Sequence, residues 1–252
     1  MINTLTLVPI YKIELSSLEL YCLKKSLGAL AGRDVRFIGP GSLVLTYFSK
    51  NFPSIQFIGL PDENFSSIEN YSRLLINKEF YNLFLKYDFL LILQTDAIVL
   101  RDDLDYWCAQ PFDYVGAPWP DGYEFYVNAG KFSGVNGKNV KVYVGNGGLS
   151  LRRIGKCLSL LSEFDGEILE IFKSTGSNED LFFSVMGALS KDFIIPNEIT
   201  ASRFSVELRP SYYVNLNDGV YPMGGHALLK YEPEFWRNII PGFSDEADKL
   251  IY

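Results

Sequence analysis

Residues 87–100, Tyr-Asp-Phe-Leu-Leu-Ile-Leu-Gln-Thr-Asp-Ala-Ile-Val-Leu, decide how the rest of this chain is interpreted. The apolar part, Phe89 to Leu93, lacks polar alternation, which is typical of a strand buried on both faces of a parallel sheet. Asp96 follows at the expected end of this strand. Because ligands of open parallel sheets bind beyond the carboxyl ends of the strands, Asp96 is predicted to face a crevice. A structural turn acid is the alternative, and it is the commoner case for an isolated short motif.

The flanking sequence predicts an α/β domain. Apolar runs at residues 5–10 and 35–38 enclose a helical pattern at residues 15–30, which is the order of a βαβ unit in a parallel sheet. Further strands are predicted at residues 43–47, 55–60, 112–115, 193–196 and 205–208, and further helices at 70–85, 154–173 and 181–189. No linker divides the chain, so residues 1–252 are expected to form one domain, with a loosely held tail at 244–252.

Composition excludes some classes of partner. The net charge is −7 and no block of Lys or Arg is present, so nucleic acid is not an expected ligand. Three cysteines without paired spacing indicate reduced thiols in a cytoplasmic protein. No secretion signal or transmembrane segment is predicted, while peripheral membrane contact through exposed aromatic residues stays open.

Several polar residues are candidates for the same crevice. The first strand ends in Pro9, Tyr11 and Lys12, which would offer a ring for a base and a cation for phosphate. Arg73 could pair with a phosphate if its helix face meets the crevice. The alternatives are a solvated strand end for Lys12, which is somewhat favoured, and an ordinary exposed residue for Arg73.

Later segments add glycines, acids and a histidine. Gly147 and Gly148 permit close ligand approach, although a β-bulge explains them equally well. Residues 121–141 have the composition of a functional loop or lid. Glu179 and Asp180 precede an apolar helix, where acids are commonly caps, but two adjacent acids also raise each other's pKa, as a general base requires. His226 is the only histidine.

The order of these motifs resembles the nucleotide-sugar-dependent glycosyltransferases of the GT-A fold. Within that group the chain is most similar to an uncharacterised glycosyltransferase-like family of bacteria and fungi, through Gly-Ala-Pro-Trp at 116–119, Gly-Asn-Gly-Gly-Leu-Ser-Leu-Arg at 145–152 and the pair Glu179-Asp180. The resemblance implies a Rossmann-like, mostly parallel central sheet with helices on both faces and a small antiparallel addition.

The resemblance also implies roles for individual residues. Asp96 would be the metal ligand that ends an Asp-x-Asp motif, in which Gln94 replaces the first acid, and His226 would be the second ligand of Mn²⁺ or Mg²⁺. Asp180 would be the base, with Glu179 as its neighbour. Donor contacts would involve Pro9, Tyr11, Lys12, Arg73, Gln94, Thr95, Asp96, Asn146, Gly147 and Gly148, and Trp119 would stack on the acceptor.

The implied reaction transfers a sugar from a nucleoside diphosphate to a hydroxyl of a glycan or glycoconjugate. A positioned base favours inversion, but retaining enzymes share the fold, so the geometry stays open. The neutral Gln94 favours an alternative, a GT-A-like domain that binds a nucleotide or glycan without turnover. A nucleotidyltransferase ranks last, because a basic glycine-rich loop does not follow the first strand. Surface polysaccharide is the acceptor class that the bacterial resemblance suggests.

Overall fold

The computed structural model describes residues 2–240, and the predicted tail at residues 244–252 lies outside them. The strands in chain order are β1 Thr4–Pro9, β2 Asp34–Pro40, β3 Gln56–Leu60, β4 Phe89–Leu93, β5 Ile98–Val99, β6 Tyr114–Val127, β7 Lys138–Arg153, β8 Ser205–Val206 and β9 Gly224–Gly225. The helices are α1 Ser17–Ala29, α2 Thr46–Asn51, α3 Ile68–Leu75, α4 Lys78–Asn82, α5 Leu104–Ala109, α6 Ile154–Glu163, α7 Ile168–Ser174, α8 Glu179–Leu189, α9 Glu198–Phe204, α10 Pro210–Leu216 and α11 Pro233–Ile239.

A mostly parallel sheet forms the centre of the fold, as the sequence predicts. Its strand order is β3-β2-β1-β4-β7-β6, with β1 parallel to both β2 and β4, and β2 parallel to β3. Strand β7 runs antiparallel to β4 and to β6. The carboxyl ends of β1 and β4 therefore meet at one edge of the sheet, where Leu93 of β4 pairs with Leu149 in the second half of β7, and this edge is where a ligand site is expected.

Strand β4 is buried on both faces, which confirms the interpretation of its apolar run. Leu90 and Ile92 join a core cluster on one face, which includes residues of α4, α6 and α8. Phe89, Leu91 and Leu93 join a second cluster on the other face, with residues of α1, α2 and α5. Burying each such side chain contributes about 1.5–3 kcal/mol, so β4 is a well-anchored base for the segment that follows it.

A small second sheet fixes the segments that follow β4. Strand β9 pairs antiparallel with β5 and parallel with β8. A Cβ on Gly224 would lie 2.2 Å from the backbone oxygen of Ile98, and one on Gly225 would lie 2.1 Å from the ring of Trp236. Glycine is therefore required at both positions because other segments of the same chain pack directly against the backbone there. This packing brings residue 226 back to the end of β4.

Several predicted elements differ from the structure. Residues 43–47 do not form a strand, and α2 begins at Thr46, because a short apolar run cannot distinguish a strand from a buried helical turn. The predicted helix at 70–85 breaks at Asn77, whose side chain accepts from the amide of Glu79 and caps α4. The predicted helix at 154–173 divides into α6 and α7 around Gly166.

Two predicted loops and one predicted strand also differ from the structure. The expected lid at 121–141 is largely a β-ribbon, in which Tyr123 to Val127 pair with Val142 to Lys138, because apolar and polar residues alternate there. Residues 193–196 do not form a strand, and Ile194 instead exchanges hydrogen bonds with Asp113 alone. Residues 198–204, predicted to be a connection, form α9, whose N-cap is Asn197.

Candidate active site

A cavity of about 430 Å³ opens where β1 and β4 end. Its walls combine aromatic rings with side chains that carry hydrogen-bonding groups. The lining residues are Pro9, Tyr11, Phe65, Ser66, Ser67, Ile68, Tyr71, Gln94, Thr95 and Asp96. The chain therefore brings together five of its predicted donor-binding residues: Pro9, Tyr11, Gln94, Thr95 and Asp96.

Asp96 and His226 lie side by side although 130 residues separate them. The ring of His226 donates from Nε2 to Asp96 Oδ1 at 3.1 Å and from Nδ1 to Glu207 Oε2 at 2.8 Å. Burial lowers the pKa of His226, but the hydrogen bonds with the two carboxylates outweigh it and raise the pKa to about 10. Burial likewise raises the pKa of Asp96, and the hydrogen bond from His226 reverses this and lowers it. The three side chains form a compact triad of two acids around one imidazolium.

Gly147 and Gly148, in the second half of β7, lie between this triad and the Glu179-Asp180 pair. A Cβ on Gly148 would lie 2.4 Å from Cγ of His226, and one on Gly147 would lie 2.9 Å from Oε1 of Glu179. A side chain at either position would therefore displace a candidate site residue, which explains both glycines by close approach. The two groups of acids lie on different sides of the same two residues.

A backbone hydrogen bond also joins the end of β4 to β7. The amide of Gln94, just after β4, donates to the carbonyl oxygen of Gly148 at 2.9 Å. Asn146, which precedes the two glycines, lies opposite Ala117 in the register of β6 and β7, where the register shifts. The predicted alternative of a β-bulge is therefore present in this segment, and the close neighbours of the two glycines are the protein's own side chains, His226 and Glu179.

Glu179 begins α8 and is held by two donors. Its Oε1 accepts from Nη2 of Arg152 at 3.1 Å, and its Oε2 accepts from the hydroxyl of Ser72 at 2.9 Å. Arg152 is fully buried, and its guanidinium lies 5.3 Å from the centre of the Tyr114 ring. The carboxylate of Glu179 is thus fixed in position and its charge is compensated by Arg152.

Asp180 has a different environment from its neighbour. Its Oδ1 accepts the backbone N–H of Leu181 at 2.7 Å, and the residue is mostly but not fully buried. Burial and the adjacent charge of Glu179 raise the pKa of Asp180 to about 7. A carboxylate with a pKa near neutrality is well suited to accept a proton from a substrate hydroxyl.

Two predicted cations do not point freely into the cavity. Nζ of Lys12 pairs with Oε1 of Glu19 at 2.9 Å, although half of the Lys12 side chain stays exposed. Arg73 pairs with Glu69 at 2.7 Å one helical turn away, and its guanidinium lies 5.4 Å from the centre of the Phe172 ring. Lys12 therefore stays next to the cavity, beside Tyr11, whereas Arg73 does not line it, and its placement argues against a phosphate contact.

Trp119 is placed in the core instead of on an open wall. It is 5% exposed, and its ring meets the ring of Tyr123 edge-on with centroids 5.1 Å apart. A Cβ on Gly145 would lie 2.6 Å from the Trp119 ring. A buried ring offers no open face to a sugar, so the structure argues against Trp119 as a stacking platform and gives it a packing role beneath β7.

The sequence interpretation missed two acids of this site. Oε1 of Glu19 accepts from the hydroxyl of Thr95 at 2.8 Å as well as from Lys12, so it joins the ends of β1 and β4. The sequence did contain a signal for Glu19, because Ser16 and Glu19 have the spacing of a helix capping box. Glu207, which contacts His226, had no local signal because only the fold brings the two together.

The hydrogen bond between Glu207 and His226, which the sequence did not show, suits a divalent cation at Asp96 and His226. Glu207 occupies Nδ1 of His226, and a carboxylate at that nitrogen orients an imidazole so that its other nitrogen can bind a metal ion. A cation shared with Asp96 would replace the Nε2 proton. Within residues 2–240 no group of three or more His, Cys, Asp or Glu side chains is arranged to hold a metal ion. Asp96 and His226 alone would supply only two protein ligands, so a metal ion there would need further oxygen atoms from a bound ligand or water.

Three larger grooves lie elsewhere on the described surface. One of about 750 Å³ is lined in part by α1 and by Ile98 to Arg101, and one of about 650 Å³ lies along β7 and the segment after α8. A third, of about 540 Å³, lies between the end of α1, the start of β2 and the segment after α2. The smaller cavity beside Asp96 is the better candidate because acids, an amide and aromatic rings converge there. No helix within the described residues has the length and apolar content needed to cross a membrane.

Comparisons with known proteins agree with the predicted fold. The chain is similar to an active-site mutant of LgtC, with a TM-score of 0.56 and 15% identity over 97% of this chain and 94% of that chain. LgtC is described as a galactosyltransferase in its complex with donor and acceptor sugar analogues. The chain is also similar to mouse xyloside xylosyltransferase 1 in its apo form, with a TM-score of 0.54 and 10% identity over 90% of this chain and 98% of that chain.

A third similar structure is the glycosyltransferase GlyE of Streptococcus pneumoniae TIGR4, with a TM-score of 0.52 and 13% identity over 100% of this chain and 64% of that chain. At these identities the likeness shows the fold, which is the GT-A fold of glycosyltransferases. A family profile described as "Protein of unknown function (DUF5672)" matches residues 54–226. The comparison with curated proteins finds no match.

Proposed function

The chain belongs to the DUF5672 family, and from this premise and the geometry of the candidate active site we propose that it is a nucleotide-sugar-dependent glycosyltransferase. One observation carries the proposal: Gly147 and Gly148 pack against Glu179 on one side and His226 on the other, and His226 contacts Asp96 at the wall of the cavity. A fold shared with glycosyltransferases supports the proposal.

The donor nucleoside binds in the cavity beside Asp96 in this proposal. Tyr11 is 56% exposed and lines the cavity, so its ring is free to contact a flat base. Gln94 and Thr95 line the same wall, although the Thr95 hydroxyl already donates to Glu19. Lys12 at the rim adds a cation near the diphosphate, and Asn146 belongs to the donor contacts as the residue before the two glycines.

Asp96 and His226 would hold a Mn²⁺ or Mg²⁺ ion, and such an ion would neutralise charge that develops on the departing nucleoside diphosphate. An imidazole ligand favours manganese over magnesium. Gln94 contributes no charge, so the remaining ligands would have to come from the donor or from water. Glu207 orients the His226 ring through Nδ1.

Asp180 is the general base in this proposal. It takes the proton from the attacking hydroxyl of the acceptor, and the raised pKa that burial and Glu179 produce is near the value that this role needs. Arg152 and Ser72 hold Glu179, so Glu179 supplies a fixed negative charge beside Asp180. A base opposite the leaving group leads to inversion at the anomeric carbon; the anomeric configuration of the product, measured by NMR, distinguishes inversion from retention.

The acceptor is a hydroxyl of a glycan or glycoconjugate, for example a surface polysaccharide, and residues 1–252 act as one catalytic domain. The net charge of −7 supports a carbohydrate acceptor over nucleic acid. The three cysteines are unpaired and buried, which supports a cytoplasmic location.

A binding domain without turnover is the second candidate, and the single acid of the Asp96 motif favours it. The two candidates differ in what happens to a bound donor. A thermal-shift panel of UDP-, GDP- and dTDP-sugars with and without Mn²⁺ identifies ligands, because a ligand that binds only the folded form raises Tm. Slow hydrolysis of the stabilising donor supports the enzyme, and stabilisation without hydrolysis or transfer supports the binding domain. A complete absence of stabilisation would contradict both.

A further inference from the structure

The hydroxyl of Tyr71 is a buried polar group that lacks a hydrogen-bond partner within the described chain. Among residues 2–240, the buried side-chain atoms in this state are the hydroxyls of Thr6, Tyr71 and Ser205 and the indole nitrogen of Trp236. Of these four residues, Tyr71 alone lines the cavity beside Asp96. Because nearly all buried polar groups of native proteins are paired, an unpaired hydroxyl at a cavity wall points to a partner that the ligand supplies.

Tyr71 lies between the cavity and the acid pair. The next residue in α3, Ser72, donates to Glu179, and the Tyr71 ring lies 6.0 Å from that of Phe65, which is also in the cavity wall. Burial raises the pKa of Tyr71 above its usual value, and the charge of Glu179 adds to this. The phenol is therefore neutral at working pH, so it can both donate and accept a hydrogen bond.

The position of Tyr71 indicates which part of the proposed donor would contact it. A nucleoside would occupy the end of the cavity near Tyr11, whereas the sugar that is transferred must come within reach of Asp180, next to Glu179. Tyr71 lines the cavity and the next residue in α3 is hydrogen-bonded to Glu179, so Tyr71 connects the cavity wall to the acid pair, where the transferred sugar would lie. Sugars present several hydroxyls, which match a neutral phenol that can donate and accept.

We propose that a hydroxyl of the donor's sugar completes the hydrogen bonding of Tyr71, and that Tyr71 is a residue that selects the sugar. This inference rests on the proposed function. A site built to hydrogen-bond a substrate hydroxyl discriminates strongly against analogues that lack it, because the protein group is then left unpaired. Tyr71 thus contributes to the choice among sugars instead of the choice among nucleotides.

Tyr71→Phe removes one oxygen atom and tests the inference. The probes are the pairs UDP and UDP-galactose, UDP and UDP-glucose, GDP and GDP-mannose, and dTDP and dTDP-glucose, each with MnCl₂. For the pair that binds the wild type, we expect the variant to bind the nucleotide sugar about tenfold more weakly and the free nucleotide with unchanged affinity. Titration calorimetry measures both affinities on the full chain.

Tyr87→Phe is the matched control. The hydroxyl of Tyr87 is paired, since it donates to Asp34 and accepts from Arg36 at 3.1 Å, and Tyr87 precedes β4 at the opposite end of the strand from Asp96. Removing a paired hydroxyl lowers Tm, whereas removing the unpaired Tyr71 hydroxyl should leave Tm of the free protein unchanged or higher. Neither affinity should change in Tyr87→Phe.

Each result has a defined meaning. Selective loss of nucleotide-sugar affinity in Tyr71→Phe, with an unchanged or higher Tm, supports the inference. Unchanged affinity for the sugar form, equal weakening of both forms, or a fall in Tm as large as in Tyr87→Phe overturns it, while the wild-type titrations still support the proposed function. If the wild type binds neither form of any pair, the proposed function fails and the inference fails with it.

Discussion

The two groups of acids that flank Gly147 and Gly148 contain the same kind of side chain in opposite electrostatic states. In the triad, two carboxylates surround the single imidazolium of His226, and the pKa of Asp96 is lowered. In the pair, Arg152 compensates Glu179, and the pKa of Asp180 is raised to about 7. The difference arises from the nearest charged neighbour, which is a cation for Asp96 and an anion for Asp180.

This comparison assigns different chemistry to the two sides. A carboxylate that stays ionised beside an imidazole is suited to a cation, and a carboxylate that exchanges its proton near pH 7 is suited to general base catalysis. The division also explains why the adjacent acids Glu179 and Asp180 are not interchangeable. Arg152 and Ser72 hold the first in place, whereas burial and the charge of Glu179 raise the pKa of the second so that it can take up a proton.

The sharpest way to test the comparison is Asp180→Asn. If Asp180 is the base, kcat for transfer from the donor found in the ligand panel should fall by about 10²- to 10⁴-fold, because asparagine cannot accept the proton. The affinity for the nucleotide, measured by titration calorimetry, should stay within twofold, or roughly the error of such data. Turnover close to that of the wild type would remove Asp180 from the base role.

Glu179→Gln should change stability more than any other substitution of these acids. Arg152 is fully buried, and breaking a buried ion pair by removing one partner costs about 3–5 kcal/mol because a buried charge is left uncompensated. The free energy of unfolding in urea measures the cost. The matched control is Glu69→Gln, which removes the exposed partner of Arg73 and should cost about 0–1 kcal/mol.

A double variant shows whether charge is the cause. Adding Arg152→Met to Glu179→Gln removes both charges, and part of the lost stability should return, because a buried ion pair can be replaced by apolar groups at little cost. A double variant that is less stable than either single variant would show that packing around Arg152, for example against Tyr114, dominates instead.

Glu207→Gln tests the triad. If Glu207 orients His226 for a metal ion, its loss should weaken Mn²⁺ binding about 10- to 100-fold, as is typical of carboxylates that contact a metal-binding histidine. Calorimetric titration of Mn²⁺ in the presence of the bound nucleotide measures this. The control is Glu124→Gln on the β6–β7 ribbon, where the carboxylate is exposed and pairs with Lys141. An equal effect of the two substitutions would contradict the role of Glu207.

Local sequence patterns were enough to predict the strand and the helix start that position this site. The unbroken apolar run of β4 predicted its burial and placed Asp96 at a sheet edge, and the acid pair was placed at a helix start, where α8 begins. These features depend on residues that are neighbours in the chain. The prediction failed for residues 121–141, where the Gly and Asn content suggested a loop although the apolar and polar residues alternate as in a strand.

The remaining features of the site depend on contacts between distant segments. Glu207 reaches His226 only because β8 and β9 pair, and Trp119 is buried only because β7 covers it. The unpaired hydroxyl of Tyr71 is a property of the folded cavity and has no signature in α3. The resemblance to glycosyltransferases brought Asp96 and His226 together as an expectation, but the arrangement around them required the structure.

The smallest effect we predict concerns the pH dependence of stability. The pKa of Asp180 is raised from 3.8 to about 7 on folding, so the folded state keeps a proton that the unfolded state has already released. Stability therefore decreases as pH rises from about 4 and the penalty is complete above about 7. Asp180→Asn removes this penalty, so its Tm relative to the wild type should increase between pH 5 and pH 8 by about 5–10 °C.

Asp34→Asn is the control for this measurement because the shift of Asp34 has the opposite sign. Burial raises the pKa of Asp34, but the hydrogen bond from Arg36 outweighs it, and the pKa is lowered. Its stabilising effect is lost only at pH values below its ordinary pKa, so the Tm difference should stay constant between pH 5 and pH 8. If Asp180→Asn behaves in the same way as Asp34→Asn, the carboxyl of Asp180 is ionised throughout this range, and the contrast between the two groups of acids does not hold.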